Sequence, residues 1–366
     1  MDNLAHSLVG ASLAEAGLKR TTALATPTLI IAANLPDIDA LATFAGTDAA
    51  LYLRRGWTHG VLAWLVLPVL LVGVVLVWDR FVRRRRRPAA EPVSVGALLG
   101  LSYLGCLTHP FLDWLNTYGV RLLMPFDDRW FYGDTLFIVD PWLWLLCATP
   151  VVLANSHSRL SITSWVVIGL GTTALVLGFG AVPLAVKVVW ALAVSLIVML
   201  RLGGWLKERS RRVAMVALAL AALYVAAMVG SSAYTSGLAE AEFEARGVPV
   251  YDSLASPIPG NPLARDGLVA SSDEYRFFAI DLLARPSFSE THAPVAIEDP
   301  DAIVTAALAA PEVRGFRNWM RFPTWEVRRQ GDGWRVILRD LRFASIDAEE
   351  GFGVAVVVLD EDLQPR

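Results

Sequence analysis

Charge is scarce in this sequence. Of its 366 residues only 18% are Asp, Glu, Lys or Arg, whereas 55% are hydrophobic by a broad count. Mean hydropathy is +0.49, too apolar for an ordinary soluble domain and typical of a membrane protein. Cysteine is nearly missing. Cys106 and Cys147 both fall in apolar segments, which excludes a disulfide framework and reads as buried thiols. The first twenty residues lack a basic n-region ahead of the first apolar run and contain Asp2, His6 and Glu15, a pattern that argues against a cleaved signal peptide, so uncleaved spans would direct insertion. There is no internal repeat, no P-loop, no dinucleotide-binding glycine fingerprint and no contiguous HExxH. The formal net charge is −3, but the signs are segregated: Arg and Lys cluster at the ends of apolar runs and most Asp and Glu follow residue 238. Nucleic acid is therefore not an expected partner.

Apolar segments cover roughly 4–18, 23–44, 60–78, 95–113, 137–154, 162–178, 182–200 and 213–230. A helix needs about 20 residues to cross the hydrocarbon core, so the pattern predicts seven spans plus a doubtful one at 4–18. Basic connectors are Lys19-Arg20, the run RRRRR at 83–87, Arg159, and Arg201 through Lys207 to Arg212. Alternating spans put them all on one side, which the positive-inside rule makes cytoplasmic, and everything after 230 on the other. The expected fold is an all-α polytopic membrane domain of about seven or eight helices over 1–230, a linker or stalk helix over 231–250, and a small extracytoplasmic α+β or mainly β domain over 251–366. In that tail YDSLASPIPGNP (251–262) reads as a turn-rich segment. Segments 273–283 and 298–311 show mixed or helical patterns. Residues 324–343 read as two strands around a Gly-Asp-Gly turn, and 353–362 as another strand.

Three short stretches carry chemistry. NLPDID (34–39) places Asp37 and Asp39 two residues apart after a proline that interrupts helical bonding, so both carboxylates can turn toward one centre. A plainer alternative is an aspartate cap at the membrane interface. RRGWTHG (54–60) sets His59 just before a span, with Arg54 and Arg55 on the side away from the other arginines. Their guanidinium forks suit a phosphate or carboxylate, or else anchor lipid headgroups. THPFLDWLNTYG (108–119) holds His109 and Asp113 at i and i+4, one helical face, with Asn116 a turn further on as a donor to a substrate oxygen. The alternative there is a buried pair locking adjacent spans. In the predicted topology His6, Asp37, Asp39, His59, His109 and Asp113 all fall near the outer ends of their segments. Polar groups able to bind a metal are costly near hydrocarbon unless they share a partner. In the following loop, Asp134 and Asp140 could complete a metal's surroundings, while Trp130, Phe131, Tyr132, Trp142 and Trp144 read as an interfacial aromatic belt.

The ordered set DNLAHSLVGA, NLPDID, RRGWTHG and HPFLDWLNTYG resembles the bacterial inner-membrane family of predicted metal-dependent hydrolases of the YdjM kind, over roughly residues 1–230. That resemblance implies a metal site at His6, Asp37, Asp39, His59, His109 and Asp113. A fainter similarity, in the His109–Asp113 spacing, is to zinc-dependent phospholipase C and related nucleases, from which this chain departs in being polytopic and lacking a later histidine-rich helix. The expectation is a metal-assisted hydrolase at the outer face of the cytoplasmic membrane. The divalent ion would be zinc first, then manganese or magnesium. Asp37 or Asp39 would serve as ligand or proton acceptor, with Arg54 and Arg55 stabilising charge on a lipid or lipid-linked phosphate. The rival expectations are a non-enzymatic membrane scaffold that binds a partner, and a transporter. The sequence leaves the oligomeric state open.

Overall fold

A computed structural model describes residues 1–204, 209–285 and 287–366; Lys207 of the basic connector lies outside them. The chain divides into two compact units. The first comprises Met1–Ile38, Trp57–Ser232 and Pro257–Leu263; the second comprises Asp39–Gly56, Ala233–Ser256 and Ala264–Arg366.

The first unit is helical. Its elements are α1 (Asn3–Glu15), α2 (Ala25–Ala32), α4 (Val61–Trp78), α5 (Val95–Trp114), α6 (Pro141–Asn155), α7 (Arg159–Gly178), α8 (Leu184–Leu202) and most of α9 (Ser210–Ala245), while α3 (Thr47–Leu53) belongs to the second unit. Among the described residues five helices are long and apolar enough to cross a membrane: α4 with its continuation to Arg86, α5, α7, α8 and α9. A sixth is reached if α2 and the 3-10 helix Leu35–Ala45, bent by 46°, count as one broken span. The expected seven or eight are not confirmed among the described residues. At 1.5 Å per residue, the 13 residues of α1 and the 15 of α6 extend only about 20 Å and 22 Å, short of a core of about 30 Å.

Small residues let α1, α2 and α5 meet. A Cβ at Gly10 would come within 2.8 Å of the Leu29 carbonyl, and one at Gly105 within 2.6 Å of Ala32 Cβ. Asn34 links α1 to α2, its amide donating to Ser7 Oγ at 3.0 Å and to the Ile30 carbonyl at 2.8 Å. Beside them α4 and α5 pack around Leu71, Val72, Val75, Leu98 and Cys106. The Ser102 hydroxyl donates across that interface to the Pro68 carbonyl at 3.1 Å. Both cysteines are free and buried. Asp140 caps α6, accepting from Trp142 N–H and Leu143 N–H, each at 3.0 Å, and from the Tyr224 hydroxyl at 2.7 Å. Not all of the loop aromatics form a belt: Trp144 is buried and its indole donates to Asp2. At the far end of α4, Arg83 and Arg84 reach the buried Asp79 carboxylate at 2.9 and 3.1 Å, so part of the arginine run also finishes a helix.

The second unit is mainly β. Strands β1 (Asp252–Ile258), β2 (Asn261–Ala270), β3 (Glu274–Asp281) and β4 (Phe288–Glu290) lie in that order in one sheet, with β5 (Val295–Ala296) also paired to β3. A second sheet has the order β6 (Pro323–Gln330), β7 (Gly333–Asp340), β8 (Val354–Leu359). The β6–β7 hairpin turns at Gly331-Asp332, with Gly331 at φ +61°, as the Gly-Asp-Gly sequence predicts. Strand β8 falls where a strand is expected, and α10 (Ala302–Ala309) lies within 298–311. Two expectations are corrected. The segment 251–262 is two strands around a turn at Gly260 (φ +67°), and 273–283, read as mixed or helical, is chiefly the strand β3. Strand pairing decided both: β2 lies between β1 and β3 in the sheet, and β3 pairs with β2 over seven residue positions and buries Tyr275, Phe278 and Ile280.

Candidate metal centre

Each donor of the centre arrives from a different turn of the first unit. Asp2 caps α1, accepting from Ala5 N–H at 3.0 Å, and one turn on the helix carries His6 inward. Pro36 lies in the first turn of the 3-10 helix Leu35–Ala45, on which Asp37 sits. His59 lies in the turn before α4, where Val61 N–H donates to the Leu122 carbonyl at 2.9 Å. His109 and Asp113 share a face of α5, on either side of a Pro110 that the helix accommodates.

Asp37, His59, His109 and Asp113, all buried, each offer a ligand atom within 4.8 Å of all the others. Nε2 of His59 lies 3.1 Å from Nε2 of His109. Asp113 Oδ2 is 3.2 Å from the first and 3.5 Å from the second. Asp37 Oδ1 is 3.9 Å and 3.6 Å from the same two nitrogens. A tetrahedral zinc ion with bonds of about 2.0–2.1 Å spaces its ligand atoms about 3.3–3.4 Å apart. The separations among the four donors are therefore close to the edge lengths of such a tetrahedron, and their chemistry, two imidazoles and two carboxylates, fits a divalent cation.

Neighbours orient these ligands. His109 Nδ1 lies 2.7 Å from the Ala33 carbonyl, which can only accept, so Nδ1 carries the proton and Nε2 presents its lone pair to the centre. Asp37 Oδ2 accepts from the Asn3 amide at 2.8 Å, leaving Oδ1 toward the histidines. His59 Nδ1 pairs with Thr58 Oγ1 at 3.0 Å. His6 stacks on His109 with ring centroids 3.7 Å apart, its Nε2 3.3 Å from Asp113 Oδ1. It is fully buried, and among the described residues neither of its ring nitrogens finds a hydrogen-bond partner. The Met1 amine also reaches Asp113 Oδ1.

The remaining residues singled out from the sequence have other placements. Asp39, Arg54 and Arg55 belong to the second unit, where Arg55 N–H donates to Asp39 Oδ2 at 2.8 Å and Arg54 Nε stands 4.0 Å from Oδ1. Asn116 is buried and donates to the Leu136 carbonyl at 3.4 Å. Sequence reasoning passed over Asn3 and Ala33. Asn3 stands inside DNLAHSLVGA, three residues before His6; nothing local marks Ala33, which acts through its backbone.

No curated protein and no solved structure matches the chain. Residues 1–182 match the model of the YdjM inner membrane protein family, a span that contains every donor described above. Over that span the chain matches the YdjM inner membrane protein family, and with its set of apolar helices it is a multi-pass inner membrane protein.

Proposed function

We propose that the chain is a metal-dependent hydrolase working at the outer face of the cytoplasmic membrane on a lipid or lipid-linked phosphate. The observation that carries this reading is the set of four buried donors spaced as ligands of one cation. Burying two carboxylates beside two imidazoles in an apolar helical unit is costly unless a shared cation compensates. Asp37, His59, His109 and Asp113 would hold it, with His6 as a further donor beside Asp113. A bound divalent cation, zinc first among the candidates, would supply Lewis acidity, activating a water and polarising the oxygen under attack. Asn3 keeps Asp37 Oδ1 aimed at the centre, and the Ala33 carbonyl keeps the proton of His109 on Nδ1. Arg54 and Arg55 stay the proposed anion-binding groups on chemical grounds, two forked donors shortly before His59 in sequence.

The outer-face assignment rests on charge. His59 immediately precedes α4 while the arginine run follows it, and the positive-inside rule makes the arginine end cytoplasmic. An outer C-terminal domain follows from the same alternation if α6, 15 residues long, also crosses. A lipid substrate is supported by the helix that carries Asp37. Ile38, Leu41 and Phe44 are 51%, 62% and 91% exposed and stand three residues apart, one stripe of a 3-10 helix that suits an acyl environment.

The test is metal content of the detergent-purified chain beside His59→Ala and His109→Ala, after chelation and re-loading, followed by a hydrolysis screen that begins with lipid phosphates. Stoichiometric metal in the parent, lost in both variants, with metal-dependent turnover, is the expected result. A parent that takes up no metal and turns over no phosphoester would overturn the proposal.

A further inference from the structure

The second unit includes one stretch drawn from the N-terminal half, Asp39–Gly56. This stretch starts two residues after Asp37 and ends three before His59, so it is the covalent strap between two of the four donors. Its ends are closed on each other by the hydrogen bond from Arg55 N–H to Asp39 Oδ2 at 2.8 Å. Its middle is gripped by α11 (Arg314–Trp319) of the C-terminal domain. Asp48 Oδ1 accepts from Gly315 N–H at 2.7 Å and from Phe316 N–H at 3.1 Å. The Arg314 guanidinium lies 4.1 Å from the centre of the Tyr52 ring and donates to the Tyr52 hydroxyl at 2.6 Å. Backbone meets backbone here, since a Cβ at Gly315 would come within 2.2 Å of the Asp48 carbonyl oxygen. The gripping helix is itself well held. Phe316 and Trp319 are buried, Trp319 stacks on Phe343 with centroids 5.2 Å apart, and Arg342 donates to the Trp319 carbonyl at 2.7 Å.

We propose that the C-terminal domain is a clamp on the strap Asp39–Gly56, and that this clamp sets the reach between the metal ligands Asp37 and His59. The inference rests on the metal reading above and assigns the domain a positioning role. A loose connection of this length samples many end-to-end separations, and closing it onto a metal costs conformational entropy. Anchoring the strap in advance removes that cost, so the ligands are pre-organised before the ion arrives. Asp48 touches no donor; it acts through the strap. The contacts are charge-assisted hydrogen bonds and a cation–π pair, both sensitive to one side chain.

The experiment uses the full chain in detergent, as parent, Asp48→Ala, Asp48→Asn and Gly315→Val. Zinc affinity is measured by competition with a chromogenic chelator, and amide hydrogen exchange is followed over residues 39–60 in the metal-free protein. Asp48→Asn keeps an oxygen that can accept both N–H groups, so it should behave as the parent. Asp48→Ala and Gly315→Val should speed exchange through the strap and into Trp57–Gly60, and weaken zinc binding about tenfold or more. Strap release with unchanged zinc affinity would overturn the proposal, as would unchanged exchange in both disruptive variants. A parent that binds no zinc would sink the proposed function separately, and faster exchange that stops short of Trp57 would then sink the clamp by itself.

Discussion

His109→Ala separates a metal centre from a buried polar staple. The side chain is fully buried, with Nδ1 bonded to the Ala33 carbonyl and Nε2 facing His59, Asp37 and Asp113. Two losses follow from that geometry. Without the imidazole the Ala33 carbonyl loses a partner in an apolar setting, which costs about 1–3 kcal/mol whether or not a metal is bound. The second loss exists only if the centre holds a cation. Ligand at a hundred times its Kd stabilises a native state by about 2.7 kcal/mol. If removing one of four ligands weakens affinity about a thousandfold, that increment falls to about 0.1 kcal/mol at the same zinc concentration. The assay is thermal unfolding followed by the emission of the protein's 13 tryptophans, with zinc and with a chelator, for parent and variant. The parent's midpoint should rise with zinc. The variant's should be lower under both conditions and indifferent to zinc. A parent midpoint that ignores zinc, or a variant that keeps the full increment, would refute the reasoning. A staple alone predicts the first loss without the second.

Asn3→Ala removes the amide that holds Asp37 Oδ2 at 2.8 Å; zinc affinity should fall about 10- to 100-fold by chelator competition with little change in metal-free stability. Gly60→Ala would put a Cβ within 2.3 Å of the Met124 carbonyl oxygen, so the turn bearing His59 must shift; the expected readout is weaker zinc binding with helical circular dichroism preserved. In the C-terminal domain, Asp340 and Arg342 form a buried pair at 2.6 Å, and Asp340 also accepts from Arg321 N–H at 2.9 Å. Asp340→Ala strands the Arg342 guanidinium and should cost about 3–5 kcal/mol, seen as a lower denaturant midpoint, while leaving zinc content unchanged at saturating zinc.

The residues themselves determined a good deal. Low charge and long apolar runs are summed properties, so the membrane character was legible without a fold. The two strands around Gly331-Asp332 were legible because turn chemistry and alternation are local. At the site, the i, i+4 spacing of His109 and Asp113 already put them on one helical face. What periodicity could not supply was convergence between distant segments. Close packing at Gly10 and Gly105 helps draw α1, α2 and α5 close enough for His6 to stack on His109 and for Ala33 to fix its tautomer. Asp37 and Asp39 look equivalent in NLPDID, yet tertiary structure turns one toward the histidines and the other toward the Arg55 amide. Nothing near Asp48 in sequence announces that its carboxylate bonds to Gly315 and Phe316, some 270 residues away. Helix and turn signals come from neighbours along the chain, so the sequence declares which donors exist. Distances between segments are set by close packing and long-range hydrogen bonds, and those decided which donors meet.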